Sequence, residues 1–149
     1  MGYSLVKDPE KSAKAYGKEL QCSPRHSQNI ARAVRGMKVQ DAKNLLEQVI
    51  ALKRPIPFRT HNSKKGHKKG KGMGPGAFPK KASQHILRII QDAENNAEYK
   101  GLDPENMVIS HISTYMGREI KGIMPRAQGR ATDKNEQTTN VEIILEEIE

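Results

Sequence analysis

Residues 122–137, GIMPRAQGRATDKNEQ, lie between two stretches whose apolar residues alternate as they do in β-strands. The segment holds Pro125, Arg126, Gly129 and Arg130, and almost nothing that could enter a hydrophobic core. An isolated two-stranded ribbon is only marginally stable in water, so a hairpin with such a tip needs a partner outside the core. The cationic composition indicates that this partner is anionic.

Alternation of apolar and polar residues predicts an outgoing strand at 107–123 and a return strand at 132–148. The outgoing strand is predicted to place Val108, Ile112 and Met116 on one side of the sheet, and Ile109, His111 and Ser113 on the other side. The return strand is predicted to have an inner side of Val141, Ile143 and Leu145, and an outer side of Glu142 and Glu146. The pattern is lost over residues 117–138, called the arm below. We expect the arm to project by on the order of 30 Å, at about 3.3 Å per residue.

Three helices are predicted upstream of the hairpin. The first, at 24–35, begins with Ser23 as N-cap and Pro24 in the first turn, and Gly36 ends it. Helical periodicity predicts the second at 40–52 and the third at 80–100. The apolar stripe of the third is Ala82, Ile86, Ile89, Ile90, Ala93 and Ala97. A weaker pattern predicts a short strand at 12–21.

Length, composition and net charge limit the class of protein to which the chain can belong. A length of 149 residues predicts one domain, and 26 Lys+Arg against 17 Asp+Glu give a net charge of +9. Such a charge favours nucleic acid or an anionic membrane surface as partner. The single cysteine, Cys22, excludes an internal disulfide and any multi-cysteine zinc site. We see no secretory signal and no apolar run long enough for a membrane span, so we predict a cytoplasmic protein without a membrane partner.

A basic insert, residues 54–79, follows the second predicted helix. The wider stretch 53–81 has ten basic residues and no acidic one. Residues 59–81 are rich in lysine and glycine without periodicity, so we expect them to be disordered on their own. No Walker pattern makes a phosphate loop of these glycines, and we interpret the segment as a flexible loop along RNA phosphates. We interpret His61 and His67 as donors and stacking groups in that loop, not as metal ligands.

Few residues suggest catalysis. Cys22 near His26 would need an orienting group to act as a nucleophile, so we interpret it as a packed residue. We interpret His85 and His111 as structural, and we see no paired carboxylates in a plausible cleft. No cofactor, metal or small-molecule substrate is predicted. An enzyme acting on RNA or a nucleotide is one of two alternatives to the resemblance described next.

Three blocks resemble the ribosomal large-subunit protein family called L twenty-two in bacteria, in the archaeal–eukaryotic branch whose eukaryotic member is called L seventeen. SPRHSQNIARAVRGM (23–37) looks like the family's first helix, and residues 80–109 look like its third helix and following turn. Residues 118–147 look like its long hairpin, where PRA-x-GRA (125–131) is the most specific signature. The resemblance covers 12–148. The insert is expected of this branch, and Gln128 stands where a lysine is common in bacteria.

The resemblance implies an α+β fold: a small three-stranded antiparallel sheet with three helices and a long protruding β-hairpin. It implies a structural, non-enzymatic role on the ribosome, with the hairpin threading through large-subunit ribosomal RNA. It also implies that the globular domain sits near the outer end of the peptide exit tunnel. Neighbouring large-subunit ribosomal proteins and the nascent peptide are further implied partners. The residues implied to line the tunnel are Met124, Pro125, Arg126, Ala127, Gln128, Gly129 and Arg130.

Basic groups outside the predicted core, with the two histidines of the insert, are the RNA-binding candidates, because binding neutralises phosphates. They are Arg25, Arg32, Arg35, Lys53, Arg54, Arg59, His61, Lys64, Lys65, His67, Lys68, Lys69, Lys71, Lys80, Lys81, Arg118, Lys121, Arg126, Arg130 and Lys134. The second alternative, a free RNA-binding module or RNA chaperone acting off the ribosome, would use the same groups. Such a module would tolerate deletion of the hairpin.

Overall fold

The computed structural model of the chain describes residues 3–147. A three-stranded antiparallel sheet has the order β1 (Ser12–Leu20), β7 (Glu136–Glu147), β4 (Met107–Ile120). Three helices pack on it: α1 (Pro24–Val34) on β4, α3 (Lys80–Tyr99) on β1 and β7, and α2 (Val39–Ile50) against α3. The α+β fold with a three-stranded sheet and three helices is thereby confirmed. The remaining elements are the strand pairs β2 (Ile56–Pro57) with β3 (Gly76–Ala77) and β5 (Ile123–Pro125) with β6 (Ala131–Asp133), and a 3-10 turn at Pro104–Asn106.

The helix boundaries follow the sequence signals closely. All three helices begin and end within two residues of the predicted positions. Gly36 has a φ of +78° just after α1, the left-handed conformation that ends many helices. Ser23 occupies the N-cap position as predicted, but its hydroxyl makes no capping hydrogen bond. No helix within residues 3–147 is long and apolar enough to cross a bilayer.

An aliphatic core fills the space between the helices and the inner face of the sheet. Gly17 of β1 lies against the side chain of Ile89, and a Cβ at this position would collide with it. Glycine therefore sets how closely the sheet approaches α3. The six predicted stripe residues of α3 are all buried, and the fully buried residues of the sheet include Met107, Ile109, Ile112, Val141, Ile143 and Leu145.

Strand β4 contains an irregularity that simple alternation did not predict. Its register with β7 shifts between Ile109 and His111, so Ile109 and Ile112 are both buried against the helices. A β-bulge inserts one extra residue and reverses the face of everything beyond it. The predicted sides, with Val108 beside Ile112 and Ile109 opposite, were therefore wrong.

The outer face of the sheet is partly covered by residues 3–7, called the strap below. The backbone N–H of Ser4 donates to Glu142 Oε2 at 3.2 Å, and Lys7 Nζ lies 3.1 Å from Glu146 Oε2. Glu142 is on the outer side as predicted, but it is 0% exposed. The strap covers the carboxylate of Glu142, so a position on the outer side of the strand does not make it exposed.

The insert has a defined structure anchored by apolar residues at its ends. Ile56 and Phe58 are each 1% exposed. Phe58 N–H donates to Pro75 O at 2.8 Å, and β2 pairs with β3, so the two ends of the segment meet. The prediction of a disordered stretch was wrong, because these anchors close the Lys/Gly-rich residues into a loop.

Candidate nucleic-acid interface

The arm is a two-stranded ribbon without a core of its own. β4 and β7 stay paired as far as Ile120 and Glu136, after which β5 and β6 continue the hairpin. Every residue from 123 to 137 is exposed. The side chains of this segment are therefore accessible to a binding partner on both faces.

A junction divides each long strand of the hairpin. Lys134 N–H donates to Gly122 O at 2.7 Å, and Gly122 N–H donates to Asn135 Oδ1 at 3.4 Å. A Cβ at Gly122 would lie 2.7 Å from Lys134 O, so this approach of the two backbones requires glycine. The predicted strands 107–123 and 132–148 are therefore each broken in two. Ile148, the predicted end of the second, lies outside the described residues.

The tip of the arm is a tight turn. Arg126 N–H donates to Arg130 O at 2.7 Å, and Arg130 N–H donates to Ala127 O at 3.4 Å. Gln128 and Gly129 have φ of +62° and +66°, and a type I′ turn requires positive φ at both central positions. Glycine at position 129 adopts this conformation without a steric penalty. Gln128 was missed as a turn residue, because glutamine is not among the usual turn formers.

The five basic side chains of the arm are exposed and only weakly engaged within the chain. Arg126 Nε lies 3.3 Å from Thr132 Oγ1, and Arg130 Nη2 lies 3.4 Å from Gln128 Oε1. Exposed contacts of this kind contribute little to stability and can be exchanged for stronger bonds to phosphate. The exposed set is Arg118, Lys121, Arg126, Arg130 and Lys134, of which Arg118 lies 3.8 Å from Glu19.

The insert presents a second basic surface, which Asn29 of α1 holds in place. Asn29 is 2% exposed. Its Nδ2 donates to Arg25 O at 2.8 Å and to Thr60 O at 3.0 Å, and its Oδ1 accepts from Arg59 N–H at 3.0 Å. Both ends of the buried amide are therefore satisfied by backbone groups. The role of Asn29 could not be predicted from the sequence, because no motif separates it from its neighbours on the helix.

Phe58 fixes the same part of the insert. Its ring lies edge-on to His26, with centroids 5.4 Å apart, and Lys65 Nζ lies 5.0 Å from its centroid. Burial and the nearby positive charge of Lys65 lower the pKa of His26. The neutral imidazole is therefore the form that packs on Phe58 at neutral pH.

The predicted RNA-binding residues of the insert and its flanks lie at the surface. Lys65 is half-buried because it covers Phe58, and Arg59 Nη2 donates to Gly72 O at 2.7 Å across the loop. The exposed members are Lys53, Arg54, Arg59, His61, Lys64, His67, Lys68, Lys69, Lys71, Lys80 and Lys81. Within residues 3–147 no group of three or more His, Cys, Asp or Glu side chains is arranged to hold a metal ion.

The arginines of α1 differ in their contacts. Arg25, Arg32 and Arg35 are all exposed. Arg35 Nη2 donates to Ile112 O at 2.8 Å, so this residue also ties α1 to β4. That structural role was not predicted.

An open cleft of about 450 Å³ lies where α1, α3 and the base of the arm meet. It brings together Arg25 and Lys81, which are far apart in the sequence, beside residues 135–138. The first turn of α1 contains no acidic residue, so its N–H groups and the two cations favour an anion, whereas Glu136, which also lines the cleft, opposes one. Cys22, at its edge, is buried with its Sγ 3.4 Å from Ser27 Oγ, which confirms a packed residue.

Known proteins with similar sequences span the whole molecule. The profile of the family described as ribosomal protein L22p/L17e matches residues 15–146. The large ribosomal subunit protein uL22 of Methanococcus vannielii is 46% identical over 148 residues, covering 99% of this chain and 97% of the relative. The protein of the same name from Methanothrix thermoacetophila is 48% identical over 150 residues, with coverage of 99% and 97%. That from Methanocaldococcus jannaschii is 48% identical over 146 residues, with coverage of 97% and 94%.

Proposed function

This chain belongs to the ribosomal protein L22p/L17e family, and on that premise we propose that it binds ribosomal RNA within the large subunit. In this proposal it bridges RNA segments during assembly, and the tip of its hairpin lines the peptide exit tunnel. The family consists of ribosomal proteins, not of enzymes, so the alternative of an enzyme acting on RNA is set aside.

The exposed arm is the observation that supports this proposal most. Residues 123–137 are all exposed, although a free ribbon of this kind is marginal in water. Folded RNA offers phosphates to the guanidinium groups and bases for stacking, and both would stabilise the ribbon. A reach on the order of 30 Å, at about 3.3 Å per residue, is enough to pass between RNA segments.

Each basic region has a role in the proposal. Arg126 and Arg130 contact RNA at the tip, and residues 124–130 face the nascent peptide in the tunnel. Arg25, Arg32 and Arg35 anchor the domain, with the insert 54–79 along neighbouring phosphates. Each neutralised phosphate releases counterions, so affinity falls as salt is raised. Neighbouring ribosomal proteins of the large subunit complete the set of partners.

Replacing Arg126 and Arg130 together with alanine tests the proposal. We expect chemical footprints on ribosomal RNA around the hairpin to weaken in large subunits that contain this variant. Arg88→Ala is the matched control, because Arg88 is an exposed arginine of α3 outside the proposed interface. Footprints in the double variant that equal those of the unmodified protein would contradict the proposal.

The remaining alternative is a free RNA-binding module or RNA chaperone that acts off the ribosome. It is tested by replacing residues 123–133 with a short glycine-containing turn. The proposal expects this variant to be lost from large subunits during sedimentation. Full retention of RNA-binding activity, with no preference of the intact chain for large subunits, would favour the alternative.

A further inference from the structure

A row of aromatic rings lies on the outer face of the sheet, away from the helices. Tyr16 of β1 pairs in register with Glu142, Tyr115 of β4 pairs with Asn140, and the strap adds Tyr3. The rings of Tyr3 and Tyr16 meet edge to face with centroids 6.2 Å apart, and those of Tyr16 and Tyr115 are 6.5 Å apart. Tyr3, Tyr16 and Tyr115 are called the tyrosine row below.

The core does not use these rings. Within residues 3–147 the buried core contains no tyrosine, and Tyr115 is 38% exposed. The chain has four tyrosines and no tryptophan, so most of its large aromatic residues outside the insert are gathered here. Tyr99, at the end of α3, is 94% exposed and lies apart from the row.

The carboxylate beneath the row is withdrawn from the surface. Glu142 is 0% exposed, its Oε1 lies 3.0 Å from His111 Nε2, and Ser4 donates to it from both its backbone and its hydroxyl. Burial raises the pKa of Glu142, but the hydrogen bonds from Ser4 and His111 outweigh burial and hold the pKa below its ordinary value. The carboxylate is satisfied inside the layer formed by sheet and strap, so it adds no acidic patch to the surface.

Cations border the tyrosine row. Lys14 Nζ lies 5.5 Å from the centroid of Tyr3, and Lys18 is exposed further along β1. Exposed aromatic faces beside basic groups are the combination that binds single-stranded nucleic acid, because bases stack on the rings while cations hold the backbone.

We infer that the tyrosine row is a stacking site for unpaired bases of ribosomal RNA, separate from the arm and the insert. The inference rests on the proposed function, to which it adds a site that prefers single-stranded RNA. An unpaired base stacks on the ring of Tyr115. Tyr16 contacts the Tyr115 ring and is itself contacted by Tyr3, so these two residues hold the Tyr115 ring in place, while Lys14 contacts an adjacent phosphate. The hydrogen bond from the Tyr115 hydroxyl to Tyr16 raises the pKa of Tyr115 to about 12; the phenol is neutral at physiological pH with or without this shift.

Binding of a short oligouridylate to the full chain tests the site, with an RNA duplex of equal length as the comparison. Tyr115→Leu keeps an apolar side chain but removes the ring. We expect it to weaken oligouridylate binding about tenfold, because stacking on an aromatic ring contributes that order of affinity. Tyr115→Phe keeps the ring and is expected to bind as the unmodified chain does. Duplex binding is expected to be unchanged in both variants.

Tyr99→Leu is the matched control and is expected to have no effect on either RNA. Because the chain has no tryptophan, its fluorescence comes from the four tyrosines, and quenching that is lost in Tyr115→Leu but kept in Tyr99→Leu would report stacking on the row. An unchanged oligouridylate affinity in Tyr115→Leu would overturn the inference, as would an equal loss on duplex and single strand. Arg126→Ala/Arg130→Ala separates the two proposals: if it weakens binding of both RNAs while Tyr115→Leu changes neither, only the stacking site is refuted.

Crosslinking inside the large subunit tests the same site in its assembled state. A photoreactive benzoylphenylalanine introduced in place of Tyr115 is expected to crosslink to ribosomal RNA. Crosslinks confined to ribosomal protein would overturn the inference, because they would show that a protein occupies this face. The same substitution at Tyr99 gives the background for an exposed aromatic residue outside the row.

Discussion

The insert and the arm have the same kind of sequence and opposite relations to the core. Both are rich in basic residues and glycine, and both lack the apolar periodicity of a packed element. The insert contains Phe58, which is 1% exposed, and meets Asn29 of α1, whereas residues 123–137 of the arm are exposed throughout. A few buried contacts therefore decide whether a basic segment is ordered by its own chain or must be ordered by a partner.

Truncating Phe58, the buried ring that anchors the insert, should have the largest effect on the difference in order between the insert and the arm. We expect Phe58→Ala to lower the free energy of unfolding by about 3–5 kcal/mol, as for other buried phenylalanines. Denaturant unfolding measures the loss, and hydrogen exchange should show that amides of 58–76 lose protection while those of the arm do not change. Tyr99→Ala is the control, since Tyr99 is 94% exposed. Unchanged protection of the insert would contradict the anchoring role.

Removing the buried amide of α1 should have the next largest effect. Asn29→Ala leaves Arg59 N–H and Thr60 O without their partners, and we expect a loss of roughly 1–3 kcal/mol. Hydrogen exchange at Arg59 and Thr60 should accelerate before any other part of the chain. Gln28→Ala, an exposed neighbour on the same helix, should have no effect. Equal exchange in the two variants would show that Phe58 alone holds the insert.

Acid should loosen the insert and spare the arm. The pKa of His26 is lowered in the folded chain, so the unfolded chain binds its proton first as the pH falls. The contribution of neutral His26 is complete above its unfolded pKa of about 6.5 and is lost as the pH falls from there towards the folded pKa. We expect the free energy of unfolding to decline over this window, measured by denaturant unfolding at several pH values.

The pKa of His85 is also lowered, by burial and by the charges of Lys81 and Arg88. The variant His26→Leu separates the contribution of His26 to the pH dependence from that of His85. The pH dependence of stability should be smaller in His26→Leu than in the unmodified chain. Identical pH dependences of the free energy of unfolding in the variant and the unmodified chain would mean that the protonation of His26 does not affect its packing on Phe58.

A change at the tip of the arm should have the smallest effect on global stability. Gly129 has a φ of +66°, and alanine at that position costs about 1 kcal/mol locally. Because the arm does not contribute to the core, we expect the global free energy of unfolding to change by less than about 0.5 kcal/mol. Exchange of Arg130 N–H should accelerate, with Ala127→Gly as the control. A large fall in the denaturation midpoint would show that the arm unfolds with the domain.

Much of the fold and of the candidate interface could be predicted because it depends on local signals. The apolar stripe of α3, the stop at Gly36 and the turn at Gly129 follow from periodicity and from the conformational freedom of glycine. The exposed cations of the arm follow from charged residues where no core pattern exists. The resemblance to the family was recognised in PRA-x-GRA and the two helix blocks, which composition alone would not have supplied, and the family profile that matches residues 15–146 confirms it.

The features that the sequence did not predict depend on contacts between residues far apart in the sequence. The bulge after Ile109, the burial of Glu142 under the strap and the anchoring of the insert by Asn29 each involve two or more segments. A two-residue alternation cannot show a register shift, and a hydrophobicity pattern cannot show a carboxylate whose partners come from another segment.

Local patterns in the sequence were sufficient to predict the three helices, the hairpin, the concentration of positive charge and the resemblance to the family. Three features emerge only when the chain is folded: the anchoring of one basic segment, the breaks in the hairpin strands, and the meeting of tyrosines from the strap, β1 and β4 on one face. This difference follows from the range of the interactions. Helix periodicity, caps and glycine turns act within a few residues, whereas burial, strand register and side-chain hydrogen bonds act between segments that only folding brings together.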